Sequence, residues 1–261
     1  MLIDTHAHLN DDELFSSADD VAADMEKNGL CAIINVGYDI PSSIRAADLA
    51  DKYGKMFCAV GIHPHDSKTV KPEDYDLIRK LADNKKTVAI GEIGLDYHYD
   101  LSPRETQKKV FVEQLVLAHE LKLPVVIHLR EAYGDMNDLL AENKRYTEYG
   151  ILLHCYSGSA ETARELGKKY DAYFSFGGAI TFKNAVDKPD IIRSIPENRI
   201  LVETDCPYMT PVPFRGKPNR PEYVNLVADR LAEILGKDRK YVEELTIKNT
   251  KEYFKKINDC L

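Results

Sequence analysis

The sequence predicts a closed parallel (β/α)8 barrel, the TIM-barrel architecture, with extra helices after the last strand. Three observations predict it. Eight short apolar runs rich in Val and Ile alternate with amphipathic helical stretches almost without interruption. Each run is too short for a buried helix and is bounded by Gly, Pro or charged residues, the pattern of strands covered on both faces. The length of 261 residues suits one such barrel and buries a core that needs neither disulfides nor structural zinc. An open doubly wound sheet is the competing architecture, because strand count alone does not exclude it.

The strands are expected, in order, at Leu2–Asp4, Cys31–Gly37, Phe57–His63, Thr87–Glu92, Val125–His128, Ile151–His154, Ala172–Ser175 and Ile200–Thr204. Helical periodicity falls between them, at Asp19–Asn28, Ile40–Lys52, Glu73–Asp83, Pro103–Leu121, Asp135–Glu142, Ala160–Tyr170 and a short stretch near Ile191. Strands that alternate with helices imply βαβ units and a parallel sheet. Two further helices, Glu222–Leu235 and Lys240–Ile257, follow the last strand. Pro207–Pro221, dense in Pro and Gly, reads as a long functional loop. No linker, low-complexity segment or composition break divides the chain, so residues 1–261 are expected to form one domain.

Composition points to the cytoplasm. The five cysteines, Cys31, Cys58, Cys155, Cys206 and Cys260, are odd in number and lack CxxC spacing, which suits a reducing compartment. No charged leader precedes an apolar stretch, and no run approaches membrane-span length. A net charge of −8 argues against non-specific coating of nucleic acid but leaves room for a local basic site.

The unusual polar residues fall at one end of this map. His6 and His8 close the first strand, with side chains on one face because strand side chains alternate. Glu92 ends the fourth strand, His128 the fifth, His154 the sixth and Asp205 the eighth. All lie at C-terminal strand ends, where an α/β barrel builds its active site. Four imidazoles and two carboxylates gathered there would repel one another or remain poorly solvated without a cation between them.

The segments Asp4-Thr-His-Ala-His8, Val60-Gly-Ile-His-Pro-His65, Ala89-Ile-Gly-Glu-Ile-Gly-Leu-Asp96, Pro124-Val-Val-Ile-His-Leu-Arg130, His154-Cys-Tyr-Ser-Gly158 and Val202-Glu-Thr-Asp-Cys-Pro207 resemble the signature blocks of the TatD family of metal-dependent deoxyribonucleases. They run in order over most of the chain. The resemblance implies an amidohydrolase-like barrel, nuclease activity on DNA, and metal ligands at His6, His8, Glu92, His128, His154 and Asp205.

A carboxylate can bridge two cations and an imidazole cannot, so Glu92 is the natural bridge. His6, His8 and Asp205 would complete one site, and His128 and His154 the other. The mixed N/O ligands favour Zn, Mn, Co or Ni over Mg. Two such ions would clamp a phosphodiester and activate a shared water, with Asp205 also placed to accept its proton. Glu203, two residues before Asp205, either orients a ligand, shares the base role, or pairs with a barrel Lys or Arg. His63, with His65 after it, could serve a third metal or a phosphate, or cap a helix.

Arg130 could fork onto a phosphate or bridge to the rim. Arg215, Lys217 and Arg220 form a basic loop that could line the path of a nucleic-acid backbone. Tyr97, Tyr99, Tyr156 and Phe214 could stack unpaired bases. Ser159 could help receive an anion or simply cap its helix. His98 and His119 read as incidental.

The expected substrate is DNA, as single strands or 3′ ends, attacked by a 3′–5′ exonuclease. Hydrolysis of an amide or ester, including removal of an acyl group from a nucleic-acid carrier such as tRNA, is the competing chemistry on the same centre.

Overall fold

The computed structural model describes residues 1–259, so Cys260 falls outside the described residues. Eight strands form one parallel sheet in chain order: β1 Leu2–Ala7, β2 Leu30–Val36, β3 Met56–Val60, β4 Thr87–Asp96, β5 Val125–Arg130, β6 Ile151–Leu153, β7 Tyr173–Phe176 and β8 Ile200–Val202. The intervening helices are α1 Ala18–Asp24, α2 Ile40–Lys52, α3 Pro72–Ala82, α4 Arg104–Leu121, α5 Tyr133–Glu142, α6 Ala160–Tyr170 and α7 Lys188–Arg193. Two more, α8 Val224–Leu235 and α9 Arg239–Tyr253, follow β8. Among the described residues, no helix is long and apolar enough to cross a membrane.

Local chemistry fixes the element ends. Asp39 caps α2 by accepting from Ser42 N at 2.8 Å while Ser42 Oγ accepts from Asp39 N, a reciprocal capping pair. Ser159 caps α6 by accepting from Thr162 N at 3.1 Å, which makes it an ordinary cap.

The sheet closes at its first and last strands. Ala7 bridges Cys206, Asp205 N donates to His6 O at 2.8 Å, and His8 N donates to Cys206 O at 2.8 Å. The buried Asp4 carboxylate fastens this seam from within, accepting from Thr204 N at 2.9 Å and Thr204 Oγ1 at 2.6 Å. A buried carboxylate without such donors would be strongly destabilising, so its partners on β1 and after β8 act as one unit.

Ile3, Ile34, Phe57, Val88, Val126, Leu152 and Leu201 fill the barrel interior, and Tyr253, Phe254 and Ile257 belong to the same apolar cluster. At the C-terminal ends of three strands this inward stripe gives way to polar residues: His128 follows Val126 within β5, His154 comes directly after β6, and Glu203 and Asp205 come just after β8. The larger apolar layer lies between strands and helices and includes Leu2, Ile33, Phe111, Leu140 and Leu231. Core packing and the polar mouth thus share strands but occupy different heights.

A metal-binding mouth at the C-terminal strand ends

Glu92 lies at the centre of the mouth. β4 runs four residues beyond the expected end, to Asp96, and its ladder with β5 is irregular between Ile90 and Ile93. Gly94 (φ +148°) permits this approach, because a Cβ there would sit 1.9 Å from His128 O. The Glu92 amide donates to Gly37 O at 2.8 Å, fixing the residue across from β2.

The two carboxylate oxygens of Glu92 face different imidazole groups. Oε2 lies 3.3 Å from His6 Nε2 and 3.9 Å from His8 Nε2. Oε1 lies 2.6 Å from His154 Nε2, 2.8 Å from His128 Nδ1 and 3.5 Å from His63 Nε2. Asp205 Oδ1 completes the first group, 3.3 Å from His8 Nε2 and 3.8 Å from His6 Nε2. The His154 ring also stacks on His6, with centroids 4.0 Å apart, and so joins the two groups.

These donors fit divalent cations. Three sets have ligand atoms mutually within 4.8 Å: His6, His154 and Asp205; His6, His8 and Glu92; His63, Glu92 and His128. His6 Nε2 and His8 Nε2 approach to 3.2 Å, as do His128 Nδ1 and His154 Nε2 to 3.3 Å. Lone pairs on imidazole and carboxylate converging at this distance are the donor chemistry of a transition-metal site.

Electrostatics couple the group. Burial would raise the Glu92 carboxyl, but the His154 and His63 charges and hydrogen bonds from His128 and His154 hold it well below the usual carboxylate range. Burial pushes His63 well down, with repulsion from His128. Of the two stacked rings, burial and the His154 charge push His6 down, whereas Glu92 and Glu203 outweigh burial and raise His154 well above normal. Burial opposes ionisation of Asp205, yet the His8 hydrogen bond and the His6 charge keep it low.

Supporting groups set the ring orientations. His8 Nδ1 lies 2.7 Å from Val36 O, so Nε2 faces inward. Glu203 is fully buried; it accepts from Cys155 N at 2.7 Å and Ser175 Oγ at 2.5 Å, and lies 3.5 Å from His154 Nδ1. No Lys or Arg pairs with it among the described residues. His63 both caps its turn, accepting from His65 N at 3.2 Å, and faces Glu92.

Sequence reasoning missed Asp96. Its Oδ2 lies 3.0 Å from both His128 Nε2 and His65 Nε2. Burial would raise this carboxyl, but those hydrogen bonds hold it well below its ordinary range. Its position two residues after Gly94 in the Gly-Leu-Asp stretch was the available signal.

The rim separates the remaining candidates. Arg130 makes no ion pair among the described residues; its guanidinium lies 4.8 Å from the centroid of Tyr99, which is 56 % exposed. Arg215 and Lys217 are exposed, with Arg215 over Phe182 at 4.0 Å. Arg220 instead pairs with Glu222 at 3.4 Å, which partly neutralises it.

Tyr156 corrects the expectation of a base-stacking ring. It is buried against Phe174 and Phe176 and its hydroxyl donates to Ser159 O at 2.8 Å. Phe214 stacks on Tyr223 at 4.6 Å, and Tyr97 lies under Arg104. His98 pairs with Glu131 at 2.8 Å outside the cluster, and His119 lies 3.8 Å from Glu148.

A parallel barrel whose mouth gathers imidazoles around one shared carboxylate is built as a metal-dependent hydrolase. The comparisons with known proteins give its family. The TatD related DNase family matches residues 3–255, and the chain belongs to that family. It is 42 % identical to an uncharacterized metal-dependent hydrolase, YabD, of Bacillus subtilis, covering 98 % of this chain and 99 % of that one. It is 35 % identical to YcfH of Escherichia coli, also an uncharacterized metal-dependent hydrolase, over 97 % of this chain and 95 % of that one. The crystal structure of the TatD homolog YjjV of Escherichia coli superposes with a TM-score of 0.89 at 28 % identity, covering 97 % and 98 % of the two chains.

Proposed function

We propose that this metal-dependent hydrolase is a deoxyribonuclease that removes nucleotides from the 3′ ends of single-stranded DNA. The observation that carries the reading is the division of Glu92 between two imidazole groups. His6, His8 and Asp205 would hold one divalent cation with Oε2, and His128 and His154 a second with Oε1, with His63 at hand beside the second. Divalent cations bound there supply Lewis-acid charge to a phosphoryl oxygen and acidify the attacking water.

The chain's own groups do the rest. Asp205, held ionised and partly accessible, accepts a proton from water. Glu203, fixed by Cys155 N and Ser175 Oγ, places its carboxylate 3.5 Å from His154 Nδ1 and so supports that ring by charge rather than as a base on water. Arg130, free of a carboxylate partner, grips a phosphate. Arg215 and Lys217 extend the cationic path, and Arg220 contributes less through its pairing with Glu222. The free thiols Cys31, Cys58, Cys155 and Cys206 suit a cytoplasmic enzyme.

The phosphodiester reading is favoured over acyl hydrolysis because the rim presents unpaired guanidinium groups. Incubation of the protein with 5′-labelled single-stranded DNA, RNA and a panel of esters and lactones, with each metal added back, tests it. A shortening ladder on DNA that chelation abolishes is expected. Ester turnover without DNA cleavage would replace the reading with acyl hydrolysis.

A further inference from the structure

We infer that Tyr208, with Tyr38 beside it, forms a platform for an unpaired nucleobase next to the metal-binding mouth. The inference rests on the phosphodiesterase reading and names the part of the substrate that this side of the mouth takes. Tyr208 is held at three points. Its amide donates to Asp205 O at 2.8 Å, its carbonyl accepts from Asn219 Nδ2 at 2.6 Å, and its hydroxyl donates to Asp11 Oδ2 at 3.2 Å. Despite these ties the residue is 51 % exposed. A large ring that is fixed by its polar atoms yet left facing water is preorganised for contact with another ring.

Tyr38 repeats the arrangement from the end of β2. Its hydroxyl donates to the same Asp11 oxygen at 3.2 Å, and Asp11 Oδ1 is itself fixed by Glu13 N at 2.9 Å. Both rings flank His8, with centroids 5.6 Å (Tyr38) and 6.1 Å (Tyr208) away, tilted 67° and 66° to it. One carboxylate therefore sets two aromatic rings against one candidate metal ligand.

Charge decides what kind of group rests there. Tyr97, Tyr99 and Phe182 each carry a guanidinium over the ring, whereas neither Tyr38 nor Tyr208 has a cation over it among the described residues. Asp11 adds negative charge instead, which repels a phosphate and tolerates a neutral heterocycle. The unpaired cation Arg130 belongs to β5, diametrically opposite β1 in an eight-stranded barrel of this order. Arg130 thus holds phosphate on the β5 side while the base of the adjoining nucleotide stacks on Tyr208, and Arg215 and Lys217, seven and nine residues further along the exposed loop that carries Tyr208, meet phosphates beyond that base. Stacking of this kind is tolerant of base identity, because every base has a π-face.

The test compares two 5′-labelled oligodeoxynucleotides that differ only at the 3′ residue, thymidine in one and a tetrahydrofuran abasic residue in the other. Wild-type enzyme is expected to prefer the thymidine end. Tyr208→Leu should lower kcat/KM on that end about tenfold through KM and leave the abasic end unchanged, the loss expected for one stacked base. Tyr208→Phe, which keeps the ring, should retain the preference. Bound metal, measured on the same samples, should be unaltered. Equal losses on both oligonucleotides, no loss on either, or loss of metal would overturn the platform while leaving the phosphodiesterase reading intact. A wild-type enzyme that cleaves neither oligonucleotide would overturn that reading and the platform with it.

Discussion

Asp96 holds His128 by its Nε2 at 3.0 Å, which leaves the other ring nitrogen, Nδ1, turned toward Glu92 at 2.8 Å. Ring orientation at the mouth is therefore set by a carboxylate outside the candidate ligand set. Asp96→Asn keeps the shape but weakens the acceptor and removes its charge. Metal affinity should fall by roughly 10–100-fold, the usual loss when a ligand's orienting partner is removed. Titration against a chromogenic chelator measures it, and an unchanged affinity would show that packing alone orients the ring.

Metal content follows from the division of Glu92. Protein reconstituted with Zn or Mn should bind at least two ions per chain, and chelation should abolish hydrolysis. Elemental analysis on fully active protein checks this; one ion or fewer would exclude a two-metal centre.

Glu92→Gln should reduce occupancy in both imidazole groups and lower turnover by about a thousandfold or more, as expected for losing a group that organises the whole centre. The far-ultraviolet circular dichroism should be retained, because the apolar barrel packing lies elsewhere. His98→Ala, which removes an exposed pair with Glu131 and an edge contact with the exposed Tyr99 ring, should leave activity within about twofold, since surface contacts of this kind contribute little.

Asp205 carries two roles that one substitution separates. Asp205→Asn keeps an oxygen for coordination and loses most of its basicity. Turnover should fall roughly 10²-fold or more while bound metal falls far less. Full recovery of activity with excess metal would reduce Asp205 to a ligand alone.

Salt dependence reports the basic loop. Replacing Arg215 and Lys217 together with Ala should raise KM for single-stranded DNA and flatten the slope of log affinity against log salt by about 0.7 for each phosphate no longer neutralised. Arg220→Ala should change the slope less, because Glu222 already offsets its charge. Identical slopes in all three proteins would remove the loop from the DNA path.

All eight strands were legible as short Val- and Ile-rich runs, and helices from α2 to α8 matched their periodicity closely. The end of β4 was not: the expected strand passes through Gly91 but stops at Glu92, two residues short of Gly94, which looks like a strand breaker when read alone. In the fold Gly91 and Gly94 allow close approach to β5, and the strand continues to Asp96. Asp96 was overlooked for the same reason, since a carboxylate after an apparent strand end reads as loop. Tyr156 misled in the opposite direction. Its place two residues after His154 suggests the rim, but the chain leaves β6 at Leu153 and the ring packs against Phe174 and Phe176. Alternation identifies a face only while the strand lasts. Asp11, only three residues after His8, gave no signal of its own, because its significance depends on two tyrosines that only the tertiary fold brings to it.

The seam that closes the barrel also dictates when the protein can acquire its metal during synthesis. Asp4 and Thr204 stand 200 positions apart in the chain, and the backbone bonds beside them tie His6 to Asp205. A nascent chain that has emerged only through β7 holds all eight histidines but lacks Asp205 and has no partner for β1. Its two open sheet edges are templates for mispairing with other chains. The centre and the closed barrel are therefore completed by the same late event, delivery of the segment that follows β8. Fragments released before that point would be both metal-deficient and prone to aggregation.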